Sequence, residues 1–160
     1  MSSKEMQIDS LDRGILKLMQ ECNRTTSDQI SEIVGLSPAA VQRRLKRLRE
    51  LKIIKSDVSV IDSKTIGLPI TIVAQVELES ERADLVDGFK KKMKSNPYVQ
   101  QCYYVTGGAD FILVITARSM EDYNDFTQKT FFNNENIKGF TTSVVMDPVK
   151  VGLSIPVDED

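Results

Sequence analysis

The sequence predicts an α+β chain in two parts: three short helices first, then a β-α-β-β-α-β alternation. Three observations predict it. Apolar residues recur at helical spacing as far as Leu51. From Ile72 they alternate in runs of strand length, interrupted by two further helical patterns. Between these regions lies DSKTIGLP, Asp62 to Pro69, a mix of turn formers with little periodicity. The expected division is therefore a helix-turn-helix domain over 1–61, a linker over 62–69 and a sheet domain over 70–160.

The first helix should run from about Leu11 to Glu21, with Ser10 or Asp9 as N-cap. Leu11, Ile15, Leu18 and Met19 make one apolar stripe. Ser27 or Thr26 can cap a second helix carrying Ile30, Ile33 and Val34, and Gly35 follows where a left-handed residue ends a helix. Ser37-Pro38 opens the third, about Pro38 to Leu51. Serine there satisfies free N–H groups, and a proline at the first helical position loses no hydrogen bond. Val41, Leu45 and Leu48 take its buried side, while Ala39, Gln42, Arg43, Lys46 and Arg47 face the other way. Two helices joined by a short turn, with glycine ending the first, form a helix-turn-helix. Ile53-Ile54, Val58 and Val60 then suggest a small β-wing or a strand leading out, so the domain is winged-helix-like.

In the second part, Ile72, Ala74, Val76 and Leu78 alternate with Val73, Gln75, Glu77 and Glu79 as a strand. Ser80 opens a helix with Leu85, Val86, Phe89 and Met93 on one side, and Asn96-Pro97 ends it. Val99–Thr106 and Phe111–Ala117 are strands joined by Gly107-Gly108-Ala109-Asp110. Ser119 caps another helix, with Asp122 placed for a capping box, and Phe140–Met146 closes the set. This order is that of a ferredoxin-like split βαβ sandwich. Two helices in that fold cover one sheet face only. Phe111-Ile112-Leu113-Val114-Ile115 is apolar on both faces, which implies that a second copy covers the open one. Cover by the linker or the C-terminal segment is the alternative.

Composition narrows the function. The 160 residues contain 41% apolar residues, no histidine and two distant cysteines, Cys22 and Cys102. A disulfide framework or zinc site is not expected, and a reduced cytoplasmic setting fits. No apolar run is long enough to span a membrane, and MSSKEMQ does not read as a secretory signal. Without histidine the commonest general base and nitrogen metal ligand are missing, so no enzyme, cofactor or metal is expected. Residues 1–60 carry 11 Lys and Arg against 8 Asp and Glu, whereas the remainder carries 10 against 15. The surplus concentrates in Arg43, Arg44, Lys46, Arg47, Arg49, Lys52 and Lys55 on and after the third helix. Such a cationic helix behind a helix-turn points to double-stranded DNA. Lys90, Lys91, Lys92 and Lys94 read as a solvated face, and Val157–Asp160 as a frayed acidic tail.

The segments LDRGILKLMQE and ISEIVGLSPAAVQRRLKRLRELKIIK, followed by a sheet domain with VTGGADFILVI and TTSVVMDPVK, resemble the leucine-responsive regulatory protein/AsnC family over about residues 9–153. The resemblance implies a transcription regulator whose C-terminal domain dimerises and binds a small effector such as an amino acid. Further assembly to tetramers or octamers is implied as well. Siroheme decarboxylases resemble the same family in both domains, but their chemistry rests on histidine. An architectural protein of low sequence specificity is the other alternative.

Ser37, Ala39, Ala40, Gln42 and Arg43 are the expected base readers: glutamine can pair bidentately with adenine and arginine with guanine. Arg44, Lys46, Arg47 and Arg49 are expected to hold phosphates. In the Gly107-Gly108-Ala109-Asp110 turn, glycines permit positive φ and close approach of N–H groups to a carboxylate. Asp110 either receives an α-ammonium or braces the turn; a plain hairpin loop is the bland reading. The resemblance implies that this turn borders an effector pocket. Family versions usually follow the first glycine with an acidic or polar residue and then Asp, whereas Gly108 and Ala109 intervene here. Tyr104, Thr106, Thr141, Thr142 and Ser143 are the further candidates for that pocket.

Overall fold

The computed structural model describes residues 8–157. The MSSKEMQ segment and the acidic end of the expected tail lie outside these residues. The chain divides into two compact units, one reaching to Val60 and including the segment from Val151, the other Ile61–Lys150.

The first unit contains α1 (Ser10–Glu21), α2 (Ser27–Val34) and α3 (Pro38–Glu50). Asp9 caps α1 in a capping box: its side chain accepts from the Asp12 N–H at 2.7 Å, and Asp12 accepts from the Asp9 N–H. Thr26 and Gln29 repeat the device on α2. Gly35 ends α2 at φ 70°, a left-handed position that glycine adopts without a Cβ penalty. Ser37 caps α3, its Oγ accepting from the Ala40 N–H. Ile15, Ile30, Val41 and Leu48 are fully buried at the centre of this unit.

Two features differ from the sequence reading. The buried stripe of α1 is Asp12, Ile15, Leu16 and Met19, with Leu11 and Leu18 only half-buried. A carboxylate takes a core position because α3 supplies cations to meet it. No wing forms either: among the described residues no strand lies between α3 and Ile70. Instead the N–H groups of Ile53 and Ile54 both donate to the Leu48 carbonyl, closing α3 with Lys52 at φ 59°. Val58 and Val60 stay exposed, since this unit offers no neighbouring strand for them to pair with.

The C-terminal segment, expected in the second domain, clusters with the first unit. The Gln20 side-chain amide holds it at two points. Nε2 donates to the Ile155 carbonyl at 2.9 Å, and Oε1 accepts from the Ile155 N–H at 2.8 Å.

The second unit is a four-stranded antiparallel sheet in the order β2-β3-β1-β4: β1 Ile70–Leu78, β2 Val99–Tyr104, β3 Phe111–Ala117 and β4 Ile137–Val144. Helices α4 (Ala83–Ser95) and α5 (Met120–Thr127) complete the β-α-β-β-α-β order. Residues directly opposite in antiparallel strands share a face. Ile72, Ala74 and Val76 lie opposite Ile115, Leu113 and Phe111 and are buried with Val86, Phe89 and Met93 of α4 and Tyr123 and Phe131. The other face carries Val73, Ile112 and Val114, all half-buried, with Gln75, Tyr103, Thr141 and Ser143 exposed.

Local details again depart from pattern reading. Ser80 does not cap α4; it pairs through its backbone with the Asn136 side-chain amide, and Arg82 stands at the helix start. Asp122 receives the Arg118 Nε at 2.8 Å, and the cap on α5 is the Ser119 Oγ alone. A π turn, Gln128–Phe132, extends α5 and buries Thr130 and Phe131.

Candidate functional site

Helix α3 is held from behind. Val41, Leu45 and Leu48 fill the core, so the residues half a turn away must face solvent. Ser37, Ala39, Gln42, Arg43, Lys46 and Arg47 are exposed, and Ala40 is half-buried. The expected base readers thus share the free N-terminal half of α3. Ser37 Oγ is taken by the α3 cap, whereas Gln42 and Arg43 point to solvent, the arrangement a major-groove helix requires.

The cations divide into two sets that the sequence does not separate. Arg44 is turned toward α1. Its Nη1 donates to Asp9 at 2.7 and 2.8 Å and to Asp12 Oδ1 at 2.9 Å. Arg47 Nη2 donates to Asp12 Oδ2. The Asp12 side chain is 0% exposed, and those of Arg44 and Arg47 are 25% and 44% exposed. The bond to Asp12, and then that to Asp9, hold the Arg44 guanidinium above its ordinary range. The Asp12 N–H, and then Arg44, keep the Asp9 carboxyl below its usual value. Arg44 and Arg47 therefore differ from the free phosphate holders the charge pattern suggested: both brace α3 against α1. Arg49 pairs with Asp57 at 2.9 Å, and Lys46 lies 3.9 Å from Glu50 in an exposed i,i+4 pair worth little in water. Sequence reasoning offered Asp9 only as a possible α1 cap and missed Asp12. The signal was present, because two acids at i,i+3 on α1 face two arginines at i,i+3 on α3.

In the second unit Gly107 has φ 127°, a conformation that favours glycine, and Thr106, Gly107 and Gly108 are exposed. Asp110 braces the turn: its Oδ2 accepts from the Leu78 N–H at 2.6 Å. Its own N–H donates to the Val76 carbonyl, and its carbonyl accepts from Val105, both at 2.9 Å. Thr141 and Ser143 lie on the open face, opposite Gln75 and Val73. Tyr104 and Thr142 lie on the helix-covered face, correcting their grouping with the other two. The Tyr104 hydroxyl donates to Glu81 Oε2 at 2.8 Å, which raises its pKa. Lys90 Nζ sits 4.6 Å from the centre of the same ring. Thr142 shares a 2.7 Å hydrogen bond with the Tyr123 hydroxyl. The strand alternation separates Thr142 from its neighbours, because successive side chains point to opposite faces.

A helix-turn-helix unit joined to a ferredoxin-like unit defines a two-domain regulator, one part for DNA and one for a ligand. Residues 8–55 match the winged helix-turn-helix DNA-binding model and residues 71–155 the Lrp/AsnC ligand binding domain. The chain belongs to the Lrp/AsnC family of transcriptional regulators. It is 49% identical over 153 residues to the HTH-type transcriptional regulator y4tD of Sinorhizobium fredii, covering 96% of this chain and 90% of that one. It is 35% identical to transcriptional regulator AzlB of Bacillus subtilis, covering 95% and 97%. A solved Neisseria meningitidis transcriptional regulator, crystallised as a complex with L-methionine, superposes with a TM-score of 0.88 at 26% identity, covering 95% of this chain and 98% of that one. Among the described residues no helix is long and apolar enough to cross a membrane.

Proposed function

We propose that this transcription regulator works as a homodimer whose two α3 helices read the two halves of a duplex site, with an amino acid as effector. The free face of α3 carries the reading. Gln42 and Arg43 are exposed on a helix whose roll is set by three buried apolar residues and by ion pairs to the buried Asp12 carboxylate. Both residue types have a bidentate match to a purine edge, each worth about 1–3 kcal/mol against the wrong base. Lys46 beside them adds a phosphate contact, so affinity falls as salt rises.

The open sheet face supports the pairing of chains. Val73, Ile112 and Val114 remain partly in water in one copy. Covering each recovers on the order of 1 kcal/mol, and a dimer axis through this face covers both copies at once. Thr141 and Ser143 on that face supply hydroxyls, and the N–H groups of the Gly107–Gly108 turn suit a carboxylate. The L-methionine complex of the Neisseria protein makes amino acids the first effectors to try. An effector changes DNA binding only by favouring one arrangement of the paired units over another.

A duplex selected from a random library by the purified protein tests the reading. Gln42→Ala and Arg43→Ala should each reduce discrimination against substituted bases, while Lys46→Ala weakens all duplexes alike. Equal losses on every sequence for all three variants would overturn reading by this face. Calorimetric titration with L-methionine and then an amino-acid pool tests the effector; no heat and no change in DNA affinity would refute it.

A further inference from the structure

The buried carboxylate of Asp12 goes beyond the reading above while resting on it. Fully buried acids occur when paired, and among the described residues Arg44 and Arg47 of α3 bring guanidinium groups to this one. Those arginines are one turn apart, on the flank of α3 between its buried and free faces. Pinning two points one turn apart resists both roll and slide of the helix. The same bonds engage two cations that would otherwise reach for any phosphate.

We infer that Asp12 is a positioning residue for DNA reading: it fixes the roll of α3 and withholds Arg44 and Arg47 from sequence-independent phosphate contacts. Two effects follow from one carboxylate. The reading face is presented at one angle, so base contacts keep their geometry. Fewer cations remain to grip every duplex equally, so discrimination rises at some cost in raw affinity. Asp9 shares the task for Arg44 only, from an exposed position at the α1 cap.

Asp12→Asn tests this because asparagine keeps the shape and one acceptor while losing the charge. Two probes are needed: the duplex selected by the wild-type protein and an unselected random duplex of the same length. Affinity for both is measured between about 50 and 200 mM salt. The expected result is a salt slope steeper by about 1 per subunit on the random duplex. The affinity ratio between the two probes should fall about tenfold. Adding Arg47→Gln to Asp12→Asn should return the slope toward wild type without restoring the ratio. Loss of helix stability alone would shift affinity without steepening the slope. A folded variant with an unchanged or shallower slope overturns the inference, as does a steeper slope with full discrimination. If Asp12→Asn fails to fold, Asp9→Asn should give a smaller increase in slope, and no increase overturns the inference. Gln42→Ala in the same assay checks the underlying reading separately: if it leaves the ratio intact, α3 is not the reader.

Discussion

Replacing Asp110 with alanine separates the bracing of the glycine turn from ligand contact. In the structure the Asp110 carboxylate accepts from the Leu78 N–H at 2.6 Å, where the register of β1 against β4 shifts. Leu78 is 8% exposed, so its N–H has little access to water. Alanine removes the acceptor and leaves that donor unsatisfied. A hydrogen bond to a charged group contributes about 1.5–3 kcal/mol. For a unit of this size each kcal/mol moves the midpoint by about 4–8 °C, so the unfolding of the sheet unit should fall by on the order of 10 °C. Scanning calorimetry of the full chain reads this directly, with and without L-methionine. If Asp110 only braces the turn, the loss appears without ligand and the ligand-induced gain in midpoint persists. An unchanged midpoint without ligand, with the gain abolished, would refute the bracing argument and make Asp110 a ligand contact.

Two further outcomes test the first unit. Leu48→Ala opens a cavity at a site with 0% exposure and should cost about 2–5 kcal/mol, read as an earlier urea midpoint by far-UV circular dichroism. No loss would mean that the core around α3 is loosely packed. Asp9 has a folded pKa held below its ordinary 3.8 by the Asp12 N–H and Arg44, so its contribution is complete above that value and fades as pH falls through the lowered one. Asp9→Asn should therefore narrow the stability gap between neutral and strongly acidic pH; an acid limb identical to wild type would contradict this linkage.

Much of the fold was legible because the signals are local. Ser37-Pro38 marks the start of α3 through backbone chemistry within one turn, and Val41, Leu45 and Leu48 mark its buried side by spacing alone. The apolar run Phe111–Ile115 announced both the strand and the unusual demand for cover on two faces. The misplaced features depend on partners far along the chain. Asp12 carries no local mark of burial; its carboxylate is met by Arg44 and Arg47, far along the chain. Ser80 looked like a helix cap until Asn136 took its backbone groups. A wing or a strand leading out was expected from alternation in Val58 and Val60, but alternation does not supply a neighbouring strand. The return of the C-terminal segment to the first unit through Gln20 left no periodic trace.

The candidate sites divide in the same way. Sequence alone determined that a cationic, capped helix follows a short turn, and that a glycine turn joins two central strands. It also determined that Thr141, Thr142 and Ser143 occupy one strand. Only the tertiary structure decided that Arg44 and Arg47 are engaged while Gln42 and Arg43 stand exposed. It likewise sent Tyr104 and Thr142 to the helix-covered side and gave the Asp110 carboxylate to a backbone N–H. The reason is physical. Spacing along the chain sets which residues share a face of a helix or strand, whereas a side chain is free or occupied according to what another element brings within hydrogen-bond reach.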